Sequence, residues 1–364
     1  MEAFYYHFLT LRGIQAGKEY YISMCPLKLI PKIFLFDEEE LSPEMRAQRT
    51  LNKARIPEIT KYITSNPKEY IFSSITASID GDIRFEPIEE CGMYRDVGKL
   101  IIPMSAKFLI NDGQHRRAAI EKALKSSPNI GDETISVVFF IDSGLKFSQQ
   151  MFADLNKHAV RPTKSLGILY DYRDPMSELA KKLVFAVPVF TGMTEMEKST
   201  ISNRSIKLFT LSSIYQATQS FLQKKHNDDI SPEDDEIAIE FWNEVSKHMP
   251  DWQLAKTRKV DTATLRREYI HAHGIALHAI GIVGSELLKS YPNNWKEILQ
   301  KLSAVDWLRN NAKIWEGRAL VGGRVSKTYN NLILTVNILK KILEIPLTND
   351  ESRIEALWEK GDVE

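Results

Sequence analysis

Near residue 165 the apolar pattern of the chain changes period, and this change limits the available folds more than any other feature. Before it, short runs rich in Tyr, Phe, Ile and Val are punctuated by Gly, Pro and Asp-Gly pairs, the mark of strands and tight turns. After it, apolar residues recur at helical spacing over long stretches, with few competing strand signals. The reading is therefore α+β: a mixed N-terminal domain over residues 1–165 and a mainly helical C-terminal domain over 166–364.

Within the first part, residues 4–11 and 19–24 read as a hairpin across Gly13 and Gly17. The run 27–36 is a further β-leaning stretch, and Ser42 with Pro43 opens a helix. Asp80-Gly81 joins 70–77 to 83–85 as a hairpin. Residues 114–125 and 147–158 read as helices, and 135–141 as a buried strand. In the second part, 166–185 (broken at Pro175), 208–225, 237–247, 262–288 and 330–343 read as helices, with the charged 224–236 as an exposed loop.

Composition narrows the function classes. Lys plus Arg total 48 and Asp plus Glu total 48, so the net charge is zero and any nucleic-acid site must be a local basic patch. At 43% apolar residues the chain is too hydrophobic to be disordered. It has no run of about 18 apolar residues, so no membrane-spanning helix is expected. Glu2 and the lack of a basic start argue against a signal peptide. Two cysteines, Cys25 and Cys91, fit a reducing cytoplasm and read as structural thiols, with the role of Cys25 left open.

The stretch 108–120 carries the most chemistry. A strand runs into Asp112-Gly113, and a helix starts at once with Gln114, His115, Arg116 and Arg117. Asp112 reads as the N-cap. Cations in a first helical turn oppose the macrodipole by about 0.3–1 kcal/mol each, which points to an anion bound by Arg116 and Arg117 together with the free N–H groups. Asn156, Lys157, His158, Arg161 and Lys164 follow as a basic loop, either an ordinary surface loop or a second side of that phosphate site.

Further cations collect downstream. Arg204 and Lys207 lie among hydroxyl and amide side chains, and Lys256, Arg258, Lys259, Arg266 and Arg267 form a second group. Arg309, Lys313, Arg318, Arg324 and Lys327 form a third. They are candidates for DNA phosphate contact, or else solvated helix faces. Residues 317–327 lack the Gly-Lys-Ser/Thr ending of a P-loop. His271, His273 and His278 lack metal-ligand spacing and read as packing or hydrogen-bonding residues, so no metal site is assigned.

Asp112-Gly113-Gln114-His115-Arg116 is the signature of the DGQHR-domain family, and 151–166, 269–277 and 315–320 resemble the DndB proteins of DNA sulfur modification. The resemblance implies a bacterial cytoplasmic protein tied to DNA phosphorothioation, in which other proteins transfer the sulfur. It implies a regulator that binds promoter DNA and represses the modification operon. A more distant similarity to the ParB and sulfiredoxin superfamily implies that the N-terminal domain holds ATP or CTP, with Mg²⁺. Gly113, His115 and Arg116 would cradle the phosphates, and Asp112 or Gln114 would hold metal or water. The expected partners are promoter DNA, sulfur-modification proteins of the same operon and a second copy of the chain. The alternatives are a nucleotide hydrolase or DNA-processing enzyme using Asp112 and Gln114, and an assembly factor for the sulfur-transfer proteins.

Overall fold

The computed structural model describes residues 4–34, 53–143, 147–157 and 162–360. The helix expected from Ser42 lies outside the described residues. The chain divides into two compact units, Met1–Val160 and Arg161–Glu364, and the fold is α+β.

The first unit is built on one seven-stranded mixed sheet. Its strands are β1 (Tyr5–Gln15), β2 (Lys18–Pro26), β3 (Ile75–Asp80), β4 (Arg84–Pro87), β5 (Val97–Pro103), β6 (Lys107–Asp112) and β7 (Thr134–Ile141). They lie in the order β4-β5-β1-β2-β7-β3-β6. β3 and β7 pair in parallel, and the other neighbours are antiparallel. Ala16 and Gly17, at φ 50° and 75°, make the two-residue turn that sets Gln15 opposite Lys18 in the expected hairpin. Along β7, Ile135, Val137 and Phe139 point into the core while their neighbours do not, the period-two pattern of a strand with one buried face.

Helices α1 (Ile30–Ile33), α2 (Arg55–Ser65), α3 (Gln114–Ser126) and α4 (Ser148–Lys157) complete this unit. α3 buries Ala119, Ile120 and Ala123 and packs against α1 and α2. Two local expectations are corrected here. The described part of the run 27–36, up to Phe34, does not extend the sheet: Pro31, with no N–H and a fixed φ, sits in the first turn of α1. Asp80-Gly81 reverses the chain but makes no hairpin. β4 pairs with β5, whereas β3 lies between β7 and β6, where Ile75, Ala77 and Ile79 are fully buried. Burial chose the partner, and the turn signal could not.

The second unit is helical: α5 (Lys164–Tyr170), α6 (Pro175–Ala186), α7 (Leu211–Leu222), α8 (Pro232–Lys247), α9 (Pro250–Lys256) and α10 (Thr262–Glu268) come first. α11 (Gly274–Ser290), α12 (Trp295–Leu299), α13 (Ala312–Trp315), α14 (Tyr329–Leu343) and α15 (Asn349–Glu359) follow. Two short ladders accompany them, β8 (Thr194–Glu195) with β9 (Phe209–Thr210) and β10 (Leu320–Val321) with β11 (Arg324–Val325). α11 runs through the core, packed on α7 and α14. The continuous helix expected over 262–288 is instead broken. Tyr269 turns extended and bridges Leu308, and a 3₁₀ turn at Ile270–Ala272 precedes α11. The loop expected over 224–236 is shorter, because Ser231 and Asp234 form a capping box that starts α8 at Pro232.

A buried ionic cluster ties α14 to α15. Arg318, 3% exposed, donates from Nη1 to Glu355 Oε2 at 2.9 Å and to the Leu334 carbonyl at 3.0 Å, and its guanidinium lies 3.9 Å from the centre of the Trp358 ring. Asn337 donates to the same carboxylate at 2.9 Å, and Lys341 pairs with it as well. Burial alone would raise the Glu355 carboxyl, but these donors outweigh it and bring its pKa down from 4.5 to about 2. Because the folded value is the lower one, this stability is present above about pH 4.5 and is lost as pH falls towards 2. Glu355→Gln should cost about 3–5 kcal/mol at neutral pH, since it leaves Arg318 buried without its counter-charge. Urea denaturation across a pH series should show the gap between the two proteins closing in acid; a gap independent of pH would remove the ionic account.

Candidate phosphate-binding sites

β6 delivers Asp112 to the start of α3, and Gly113 makes the turn. Gly113 is the N-cap residue at φ 108°, so Asp112 is not the cap, which corrects the sequence expectation. An added Cβ on Gly113 would stand 3.0 Å from Ile75 and 3.1 Å from Arg116 Nη2, so both the backbone conformation and the close approach require glycine. Arg116 Nη2 donates to Asp112 Oδ2 at 2.6 Å and to the Ser74 carbonyl at 3.0 Å, while its buried Nε has no acceptor among the described residues. Gln114 is buried and donates to the Ile110 carbonyl. His115 is half-buried, and its pKa is lowered by burial and then by Arg55 and Arg116.

Arg117 corrects the sequence reading more strongly. Its guanidinium donates to Glu121 Oε2 at 2.6 Å and to the carbonyls of Phe34 at 2.9 Å and Pro31 at 3.4 Å. Both first-turn arginines thus have a carboxylate one helical turn away, Asp112 behind and Glu121 ahead. The opposition to the helix dipole is balanced within the unit, so it does not call for a bound anion. Asp112 likewise spends one oxygen on Arg116. Lys157 is exposed in the last turn of α4, Asn156 lies in that same turn, and Arg161 lies outside the described residues.

The downstream cations separate into three groups. Arg318 is buried in the cluster with Glu355 and cannot reach DNA, which corrects its assignment. Lys207, Lys256 and Arg266 are held on backbone carbonyls: Lys207 on Gly192 at 2.9 Å, Lys256 on Thr191, and Arg266 on Lys207, Ser202, Asn203 and Ser205. Arg204, Arg258, Lys259 and Arg324 are exposed with no carboxylate partner among the described residues, and exposed Arg267 pairs with Glu268 at 2.9 Å.

Lys327 belongs to a pocket of about 550 Å³ at the start of α11. A Cβ on Gly274, the first residue of that helix, would stand 2.5 Å from Ser213 Oγ and 3.0 Å from Lys327 Nζ, so hydroxyl and ammonium both press against the helix start. Thr210 and Ser213 share a hydrogen bond of 2.7 Å on one wall. Arg309 reaches the rim, donating to the Arg267 carbonyl at 3.1 Å and the Gly323 carbonyl at 2.8 Å. Burial and Lys164 both lower the Lys327 pKa. His273, at the N-cap of α11, donates from Nε2 to the Arg266 carbonyl at 2.8 Å. Burial, then Arg309, pushes its pKa down to about 4, so its ring is neutral.

Comparison with protein families supplies the decision: the DndB family model, described as DNA-sulfur modification-associated, matches residues 8–346. This chain belongs to the DndB family. Searches of curated proteins and of solved structures returned no match. The family is associated with DNA sulfur modification. The ParB and sulfiredoxin likeness therefore rests on the Gly113 to Arg116 turn alone.

Within this DndB-family chain, sequence reasoning found Arg266, Arg267 and Lys327 but missed Thr210, Ser213 and Gly274, which come together only through the fold. The His273-Gly274 pair just ahead of a long apolar helix was the available signal. Cys25 is fully buried and its thiol is pushed up to about 12 by desolvation, which makes it an inert core residue. His271 accepts from Trp252 Nε1 at 3.1 Å and His278 meets Ser220 Oγ at 2.8 Å. Among the described residues no helix is long and apolar enough to cross a membrane.

Two outcomes are expected from this geometry. Arg117→Ala should destabilise the fold by about 2 kcal/mol in chemical denaturation, as charge-assisted bonds to Glu121 and two carbonyls are lost; a neutral result would mean that the side chain is free for a ligand. His273 has a folded pKa below the ordinary 6.5, so it contributes stability that is complete above that value and lost as pH falls through about 4. His273→Gln should flatten the stability profile between pH 6.5 and 4, and an unchanged slope would show that the ring is not held neutral.

Proposed function

We propose that this DndB-family chain is a DNA-binding regulator of a DNA phosphorothioation operon, repressing its own promoter. The observation that carries this reading is a region of uncompensated cations in the second unit of a chain with no net charge. Arg266 ties the 202–207 segment to α10, and Thr262 Oγ1 donates to the Ser205 carbonyl at 2.9 Å. Arg309 joins the Arg267 carbonyl to Gly323 in the β10–β11 turn. Arg204 and Arg324 stand on these linked segments and Arg258 and Lys259 just ahead of α10, all exposed and without a carboxylate partner among the described residues. Phosphate contact releases counterions and supplies affinity that falls with salt. Hydroxyl and amide donors on the same segments, such as Ser202 and Asn203, suit backbone positioning.

In this reading nucleotide, ATP or CTP with Mg²⁺, modulates the grip on DNA, a second copy of the chain serves a palindromic site, and the operon's sulfur-modification proteins are further partners. The hydrolase reading gains no support from Asp112, whose Oδ2 is engaged by Arg116. A mobility-shift assay on the operon's own promoter and on random DNA, at two salt concentrations, tests the proposal. Promoter preference is expected. The combined Arg204→Ala, Arg258→Ala, Lys259→Ala and Arg324→Ala variant should bind more weakly, with a salt slope reduced by about 0.9 for each phosphate contact removed. Equal binding of promoter and random DNA would sink the regulatory reading.

A further inference from the structure

We infer that the pocket at the start of α11 binds the phosphate group of a small phosphate ester of nucleotide size. The inference goes beyond the DNA reading and does not depend on it. Four independent features of the pocket point the same way.

The first is charge. Arg266, Arg267, Arg309 and Lys327 line the pocket, and no Asp or Glu is among its lining residues. Arg267 has its own carboxylate, Glu268, at 2.9 Å. Arg266 and Arg309 are fixed by neutral carbonyls, which orient a guanidinium without cancelling its charge. At Asp112 and Glu121 the arginines of α3 are neutralised locally; here Asp261 acts on Arg266 and Glu268 pairs with Arg267, but Arg309 and Lys327 have no carboxylate partner among the described residues. A polyanion is the ligand that would compensate them.

The second is an available donor. Lys327 Nζ has neither a hydrogen-bond nor an ion-pair partner among the described residues, and it stands against the first residue of α11. The third is the 17-residue helix itself, whose positive dipole end and Gly274 lie beside that ammonium, although Ala276 and Leu277 donate to the His273 carbonyl. Hydroxyls of Ser199 and Thr200 also line the pocket.

The fourth is the rest of the wall. Ile201 and Ala263, both partly exposed, give the pocket an apolar side, which a bare ion would leave empty and an organic body would fill. A volume of about 550 Å³ lies within the range of small-molecule sites. Duplex DNA presents its phosphates on a convex rod and would leave this concave apolar wall uncovered, so a small ester suits the site better than a DNA backbone.

Isothermal titration calorimetry of the full chain with ATP, AMP, inorganic phosphate and adenosine tests the inference. ATP and AMP should bind, adenosine should not, and inorganic phosphate should compete. Lys327→Gln should weaken ATP binding at least tenfold with an unchanged melting temperature, since its ammonium supports no other contact. Gly274→Ala is a second variant: its Cβ would push Ser213 Oγ and Lys327 Nζ from the helix start and weaken binding in the same direction. Absence of binding by either nucleotide, equal binding of adenosine, or full ATP affinity in both variants would overturn it. The promoter assay, run in parallel, separates the two readings. Promoter binding without nucleotide binding removes the pocket ligand and the nucleotide modulation but keeps the regulator, and nucleotide binding without promoter preference removes only the regulator.

Discussion

Charge compensation within one helical turn governs how this molecule distributes its ionic chemistry. Arg116 answers to Asp112 and Arg117 to Glu121, so each first-turn arginine of α3 has its own counter-charge, although Arg116 Nε has no acceptor among the described residues. Those pairs also bind neighbouring backbone: Arg116 holds the Ser74 carbonyl ahead of β3, and Arg117 holds Pro31 and Phe34 around α1. The conspicuous Asp112-Gly113-Gln114-His115-Arg116 turn is therefore an internal fastening of sheet to helix. In the second unit Arg318, Glu355, Lys341 and Asn337 compensate charge over a longer reach, between residues 14 to 37 apart in sequence, where burial makes the loss of a partner costly.

Against this pairing, the start of α11 stands apart. Arg266 and Arg309 are satisfied by carbonyls, Arg267 by Glu268, and Lys327 by no partner among the described residues, so positive charge persists in a partly enclosed space lined by hydroxyls and apolar residues. The neutral ring of His273 fits the same field, since burial and nearby cations both oppose a further positive charge. Zero net charge overall is compatible with this local excess because acidic segments elsewhere, such as the capped start of α8, offset it. For this DndB-family protein the arrangement gives the helical unit a pocket lined by cations, though exposed cations such as Arg55, Lys61 and Lys122 stand in the first unit as well.

Much of the fold was legible in the sequence because its signals were local. The change of period near residue 165, the Gly17 hairpin, the Pro175 break and the long apolar run of α11 each act over a few residues. Where expectations failed, a non-local partner decided. β3 passed over its neighbour in sequence for β7 and β6, which places Ile75, Ala77 and Ile79, one face of the strand, at full burial inside the sheet. The helix expected over 262–288 was interrupted when Tyr269 bridged Leu308.

The same division applies to function. The sequence by itself determined the family, the α+β class and the identity of the cations, because motif order and residue spacing survive without coordinates. Which cations are available was decided only by the tertiary structure. Arg117, Arg318 and Arg324 are equally basic on paper, yet the first is locked by Glu121 and two carbonyls, the second is buried against Glu355, and the third is exposed. The physical reason is that a charge acts on a ligand only if no nearer group neutralises it, and distance between groups far apart in sequence is set by packing.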